Sequence, residues 1–388
     1  MIYSLIFLYS FLNFSLKAQN GDSLLQVSLL TASPGEMAYE RFGHTALRVK
    51  DKSKDLDVVF NYGVFSFNTP NFYYRFVKGE TDYILAAVNF PYFLTEYALR
   101  GSRVTEQILN LTPEEKTKLF EALKLNAQKE NRVYRYSFLF DNCSTRPRDI
   151  IENNINGKVN YLNPGPEVTF RDLVHSKSDV DPWLTFGIDL VFGKNADKTI
   201  SYRQEMFLPE ILMQAFETAK IDDKPLINQT NILVMEDSDK EISPLNPLLS
   251  PLFVCWSLFV LILILSIIDV SKNIQFKLSD TILFGIAGIA GIILFYLNFI
   301  SVHPAVDNNY NCVWLQPLQL FAAIAIWVKS SKRILYYYHF VNFVALSVLL
   351  LCYWFLQQVF NAAFFPLIGV LMLRSLTYII IYKREKRF

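Results

Sequence analysis

Tyr136-Ser-Phe-Leu-Phe-Asp-Asn-Cys-Ser-Thr-Arg-Pro-Arg-Asp149 is the stretch on which the reading of this chain turns. It runs from an aromatic, strand-like segment into a polar one that reads as a helix start, with Asn142 or Asp141 suited to cap it. A cysteine at such a start feels the positive end of the helix dipole and the amides not yet used by the helix. Both favour its thiolate, and the same amides suit an oxyanion. Most lone cysteines are small buried apolar residues. The polarity around Cys143 argues instead for a nucleophile. The other cysteines, Cys255, Cys312 and Cys352, lie in or beside the apolar C-terminal part. The front part therefore has no disulfide framework.

A nucleophilic cysteine needs a base. Upstream, Arg41-Phe-Gly-His-Thr-Ala-Leu-Arg-Val49 places His44 at the start of a strand. The other histidine of the front part, His175, lies in the helix-like Arg171–Lys177 and reads as solvated. Val58-Val-Phe-Asn-Tyr-Gly63 forms the next strand. Two neighbouring antiparallel strands bring Asn61 beside His44, where it can orient the imidazole. No His/Cys cluster has metal-ligand spacing, so neither metal nor cofactor is implied.

Further outward, composition divides the chain. The 388 residues are 52% hydrophobic, 15% aromatic and 19% charged, which excludes a disordered chain. The net charge of +1 offers nucleic acid no basic excess. That near-zero figure conceals about −5 before Asn246 and about +6 after it. Ile2–Leu16 is apolar and precedes Lys17-Ala18-Gln19, as in a signal peptide ending near Ala18. Five later runs approach the length of a bilayer span: Leu248–Val270, Thr281–Val302, Val313–Val328, Leu335–Leu356 and Ala362–Tyr382. Lysine and arginine follow the first, third and fifth runs and are missing from the two remaining loops. The positive-inside rule then exports residues 19–243 and leaves the C-terminus of the 244–388 domain in the cytoplasm.

The exported part reads as α+β. Strands are expected at Leu25–Thr31, Thr45–Val49, Val58–Tyr62, Tyr83–Val88 and Val104–Leu109. Helices are expected at Pro91–Arg100, from the capping box at Thr112 to about Glu130, from Cys143 to near Gly157, and over Gln204–Ala219. Asp222–Pro251 reads as a linker.

The order His44, Asn61, then Cys143 at a helix start resembles the circularly permuted papain-like thiol fold of lecithin retinol acyltransferase and NlpC-type amidases. More closely, Phe-Gly-His-Thr-Ala-Leu-Arg-Val, Phe-Asn-Tyr-Gly, Asp-Asn-Cys-Ser-Thr-Arg and Pro182-Trp-Leu-Thr-Phe-Gly-Ile-Asp-Leu190 resemble the Bacteroides-type lipoprotein N-acyltransferases. The resemblance covers nearly the whole chain, including the periplasmic-then-transmembrane architecture with five helices in the inner membrane. Pro147 departs from it, where an aliphatic residue is expected. The resemblance implies a membrane-embedded enzyme that takes an acyl chain from a phospholipid onto Cys143. It then passes the chain to the α-amine of a lipoprotein's diacylglyceryl-cysteine. A tethered cysteine amidase acting on cell-wall peptide and a non-catalytic receptor or assembly protein are the alternative readings. Arg146 offers a partner for lipid phosphate, and Trp183 and Asp189 offer an acyl channel. His303, in the polar loop that continues to Asn308-Asn-Tyr-Asn311, offers a contact with substrate. Arg374, ionisable and near the middle of the last run, completes the candidates for substrate binding.

Overall fold

The computed structural model describes residues 25–162, 165–237 and 245–386. The leader read at residues 1–18 and the domain boundary at 243/244 lie outside them. The described front part is built on strands β1 (Leu25–Ala32), β2 (His44–Asp51), β3 (Leu56–Val64), β4 (Asp82–Asn89), β5 (Val104–Leu109) and β6 (Val133–Arg135), with β7 (Val159–Asn160), β8 (Lys220–Ile221), β9 (Lys224–Pro225) and β10 (Ile227–Val234) following. Its helices are α1 (Phe72–Lys78), α2 (Phe90–Leu99), α3 (Pro113–Asn126), α4 (Thr145–Glu152), α5 (Phe170–Ser178), α6 (Pro182–Val191), α7 (Tyr202–Glu205) and α8 (Pro209–Thr218).

The main sheet is antiparallel, in the order β10-β5-β1-β2-β3-β4-β6. It is covered on both faces. Leu29, Leu47, Val49 and Phe60 pack against Leu119, Leu123, Ile151, Leu212 and Phe216 of α3, α4 and α8. Leu30, Ala46 and Val59, which alternate with them along the strands, meet Phe93 and Tyr97 of α2. The Thr112 capping box with Glu115 is present, and α3 ends at Asn126, a turn before the expected Glu130.

Three expectations for the front part change, the first being that the helix expected from Cys143 to near Gly157 is the shorter α4, Thr145–Glu152. The 222–251 segment is not only a linker: Ile227–Val234 adds β10 to the edge of the sheet beside β5. Its exposed Asn228-Gln-Thr run, typical of an edge strand, hides the apolar alternation by which strands are recognised. The single helix expected over 204–219 divides into α7 and α8. Pro209 lacks the N–H that a continuing helix needs and instead opens a new one.

The C-terminal part contains α9 (Pro251–Lys272), α10 (Lys277–Phe299), α11 (Asn311–Trp314), α12 (Gln319–Ala325), α13 (Lys332–Cys352) and α14 (Phe364–Glu385). Among the described residues, four helices are long and apolar enough to cross a membrane: α9, α10, α13 with its flanking turns, and α14. The third expected run, 313–328, is not one helix. It breaks between α11 and α12 because Pro317 has no N–H and drives Gln316 out of helical geometry. The Gln319 amide satisfies the freed Trp314 carbonyl at 2.7 Å. Gly288 and Gly291 of α10 accommodate the break. A Cβ at Gly291 would stand 2.6 Å from the Gln316 backbone, and one at Gly288 2.6 Å from the Leu320 nitrogen. The broken segment still runs from the front domain, where Asn311 bonds the Asp189 carbonyl, to the far end of the bundle, where Trp327 bonds Thr281.

The two parts are joined through the C-terminal end of α6, whose last carbonyls have no partner within the helix. Amides of the membrane part supply them. Asn309 Nδ2 donates to Leu190 and Val191, Asn311 Nδ2 to Asp189 and Leu190, and Gln358 Nε2 to Phe192, all at 2.9–3.1 Å. A Cβ at Gly193 would lie 2.0 Å from the Asp307 carbonyl, so only glycine permits this approach. The 308–311 loop is therefore a clasp between the two parts.

Candidate active site

The site begins with two glycines. Gly43 has φ of +75° and turns the chain into β2; a Cβ there would meet the Ala32 carbonyl at 2.8 Å. Gly63 has φ of +91° and ends the regular part of β3. A Cβ on it would lie 3.5 Å from Cys143 Cβ and 4.0 Å from His44 Cε1. The β2–β3 register pairs Leu47 with Phe60. Two residues alternate to each face, so His44 and Asn61 share one side of the sheet. His44 Nε2 lies 2.6 Å from Asn61 Oδ1. Nε2 therefore carries a proton, and Nδ1 is left to face the thiol.

Cys143 precedes α4. Asn142 is the working cap: its Oδ1 accepts from the Ser144 N–H at 2.8 Å and the Thr145 N–H at 2.9 Å. Its own amide is anchored to the Phe138 and Phe207 carbonyls. The helix begins at Thr145, so Pro147 falls in the first turn, where no intrahelical N–H bond is lost. Thr45 Oγ1 and Ser144 Oγ, 3.2 Å apart, tie β2 to this turn. Cys143 and its neighbours Asn142, Ser144 and Thr145 are buried.

Electrostatics couple the pair. Burial alone pushes the Cys143 thiol up, but the His44 charge and hydrogen bond, the Thr45 N–H and the Ser144 hydroxyl together bring it below its ordinary value. Burial opposes protonation of His44 as well. The Cys143 charge, with bonds from Cys143 and Asn61, outweighs it and raises the imidazole. The directions agree, and the arrangement favours a thiolate–imidazolium pair. The His44 ring stacks on Tyr97, with centroids 6.1 Å apart. Tyr134, not singled out by the sequence reading, brings a buried hydroxyl without a hydrogen-bond partner among the described residues into the electrostatic reach of Cys143. A lone tyrosine in an aromatic strand carries no sequence signal for this.

Of the remaining sequence candidates, Arg146 borders this group through Tyr134, and the others are held at the junction or in the membrane part. The Arg146 fork is occupied by both oxygens of Asp141, and its guanidinium covers the Tyr134 ring at 3.7 Å. It does not present a free phosphate site. Trp183 is half exposed at the junction and donates to the Leu249 carbonyl. Asp189 is a buried hub: it binds Arg171, His175 and, through Oδ2, Asn361 of the membrane part. His175 is thus not simply solvated. Its bond to Asp189 raises it above its ordinary pKa. A cleft of ≈ 390 Å³ includes His175, Asp189 and Asn361 in its wall. Another of ≈ 660 Å³ is lined in part by Lys194, Lys198 and Trp354; neither cleft includes Cys143.

His303 Nε2 bonds the Phe76 carbonyl at 2.5 Å and so holds α1 against the loop after α10. Arg374 is 1% exposed and bonds Asp280, Asp269 and Ser266. This corrects its reading as a substrate contact. A guanidinium among apolar helices must be neutralised, and the two aspartates, one near the last turn of α9 and one in the first of α10, do so far from Cys143. Among the described residues, no group of histidine, cysteine and carboxylate side chains is placed to hold a metal ion.

Residues 11–176 match the family model of the Lnb N-terminal periplasmic domain, which includes His44, Asn61 and Cys143. Residues 243–386 match that of the Lnb transmembrane domain. No curated protein and no solved structure matches the chain at a significant level.

Proposed function

Because the chain belongs to the Lnb family of lipoprotein N-acyltransferase-like membrane proteins through both of its parts, we propose that it is a thiol acyltransferase with Cys143 as nucleophile, His44 as base and Asn61 as orienter. The observation that carries this reading is the juxtaposition of a buried, acid-shifted cysteine with a base-shifted histidine whose far nitrogen is held by Asn61 at 2.6 Å. The order and roles are those of a permuted papain-like thiol site.

The thiolate attacks the carbonyl carbon of a phospholipid ester. An Sγ–C bond forms, the ester C–O bond breaks, and the His44 imidazolium gives its proton to the departing lysophospholipid. The acyl chain now sits on Cys143 as a thioester. The α-amine of a diacylglyceryl-cysteine lipoprotein attacks it, His44 takes the amine proton, and the thiolate leaves. The Tyr134 hydroxyl, which has no hydrogen-bond partner among the described residues and lies within electrostatic reach of the thiol, is the donor assigned to the developing oxyanion.

The membrane topology follows from the same reading. Five segments cross the inner membrane, with the Pro317-broken α11–α12 segment as the third. The odd number leaves Lys383, Arg384 and Lys386 in the cytoplasm. The test uses the full chain in phospholipid vesicles, followed by mass spectrometry of the peptide carrying Cys143. An adduct of fatty-acyl mass is expected, removed by neutral hydroxylamine, absent from Cys143→Ala and discharged by a diacylated lipopeptide. An unmodified Cys143 in folded protein after prolonged incubation refutes the reading.

A further inference from the structure

Cys143 is embedded in an aromatic neighbourhood that continues far beyond it. Tyr136 lies against Gly63, on the thiol's own side, where a Cβ would meet its ring at 3.8 Å. From there the rings follow one another. Tyr136 stacks on Tyr83 at 4.1 Å between centroids, Tyr83 on Phe65 at 4.9 Å, Phe65 on Phe72 at 5.8 Å and Phe72 on Phe76 at 6.0 Å. Interplanar angles of 16–25° make this a stack of near-parallel rings. Phe76 then meets the His303 ring at 5.9 Å. Tyr39 closes on Phe65 from the loop before β2.

The far end of this stack is at the level of the membrane. The Val302 N–H donates to the Lys78 carbonyl at 2.9 Å, and a Cβ on Gly79 would meet the His303 nitrogen at 2.8 Å. Helix α1 is therefore fastened to the chain just beyond the end of α10. Tyr74 stands beside Tyr296 in the last turns of that helix. Around the junction Tyr73 is 73% exposed, and Tyr74, Phe76, Phe299 and Val302 are also open. The apolar face of α1 thus continues the lipid-facing surface of a span. The cations of α1 do not interrupt it, since Arg75 is paired with Asp82 and Lys78 with Glu80. Tyrosines at such a level suit the boundary between headgroup and hydrocarbon. A soluble surface gains nothing from this many contiguous exposed rings.

We propose that α1 lies in the outer leaflet and that the Phe76–Phe72–Phe65–Tyr83–Tyr136 stack is the track along which a phospholipid acyl chain passes from the bilayer to Cys143. The inference deepens the acyl-donor reading above and rests on it. The occupant is a lipid chain because the track starts on a surface continuous with the membrane-facing side of α10. Along its side the stack offers ring edges and few charges, as an alkyl chain requires.

The test separates the track from the chemistry. The full-length Cys143→Ala chain, which leaves the donor unreacted, is placed in phosphatidylethanolamine vesicles doped with an analogue carrying a diazirine at the end of one acyl chain. It is then irradiated and its cross-links are mapped. Cross-links are expected at residues 65–83 in addition to the spans. Tyr73→Glu/Tyr74→Glu, both at exposed positions, should lower the yield at 65–83 by about tenfold relative to the yield on α10. Labelling on α10 reports in the same sample that the chain is inserted in the bilayer. Cross-links confined to the spans, or a yield at 65–83 unaffected by the double variant, overturn the track. Loss of the acyl reading looks different: the wild type then forms no thioester while Cys143→Ala still labels 65–83. A wild type that forms the thioester with 65–83 unlabelled keeps the enzyme and removes the track.

Discussion

Replacing His44 by glutamine tests the coupling at the centre of the site. Glutamine keeps a polar group near Asn61 but cannot carry the charge that opposes the burial of Cys143. Burial then acts with only the Thr45 and Ser144 donors against it, and the thiol rises from its lowered position toward or above the ordinary 9.0. A thiol at that value is ionised to about 1% at pH 7, against most of the population in an intact ion pair. The more basic thiolate is roughly tenfold more nucleophilic per molecule. The net expectation is alkylation about tenfold slower at pH 7. The pH profile is the sharper signature. The proposed pair requires the lowered thiol to lie below the raised imidazole, and on that reading the wild-type rate is flat through neutrality. In His44→Gln it climbs about tenfold per pH unit up to about pH 9. The assay is iodoacetamide modification from pH 5 to 10, read on the Cys143 peptide so that Cys255, Cys312 and Cys352 do not contribute. Identical flat profiles in both proteins refute the ion pair. The reciprocal variant fixes the sign: in Cys143→Ala, burial is the largest influence left on His44, and its pKa falls below 6.5.

Other perturbations reach the remaining parts of the argument. Tyr134→Phe removes the hydroxyl assigned to the oxyanion and should slow acyl transfer about 10²-fold at saturating donor while leaving the alkylation profile of Cys143 intact; an unchanged transfer rate removes Tyr134 from the oxyanion role. Asp189→Asn leaves buried Arg171 with Asp197 as its remaining carboxylate, and thermal unfolding should report a loss of about 3 kcal/mol. His175, raised by Asp189, contributes stability that is present at pH below its ordinary value and lost as the pH rises through its raised value. That pH dependence should vanish in the same variant, and its persistence would contradict the pairing. Gly291→Leu forces side-chain atoms onto the Gln316 backbone and should destabilise the membrane part by about 1–3 kcal/mol in detergent, whereas Gly285→Ala, which meets Ala323 at 4.0 Å, should unfold with the wild type.

Much of the candidate site's geometry was legible before the fold. A cysteine ahead of a capped helix, a histidine opening a strand and an asparagine on the next strand are local patterns, and antiparallel neighbours leave little choice about who meets whom. The membrane part was legible as apolar runs and flanking charge, because crossing a bilayer constrains every residue of a segment at once. The polar candidates differ for the opposite reason. Asp189, Arg146 and Arg374 look like free functional groups along the chain, and each has a partner in the fold: Arg171 for Asp189, 18 residues away, Asp141 for Arg146, five residues away, and Asp280 for Arg374, 94 residues away.

By itself, then, the sequence settled the division into an α+β part and a membrane part, and the local settings of His44, Asn61 and Cys143. Those properties follow from periodicity, capping and hydrophobic length, which act over a few turns of chain. Only the tertiary structure decided that the 308–311 loop clasps α6, that Pro317 breaks a segment against Gly288 and Gly291, and that Ile227–Val234 closes one edge of the sheet. It also decided that the rings from Phe76 to Tyr136 join into one stack. A buried carbonyl, a guanidinium or an aromatic ring is satisfied by whatever the fold brings near it. The identity of that neighbour is a property of the packed molecule, since no local pattern encodes a partner distant in the chain.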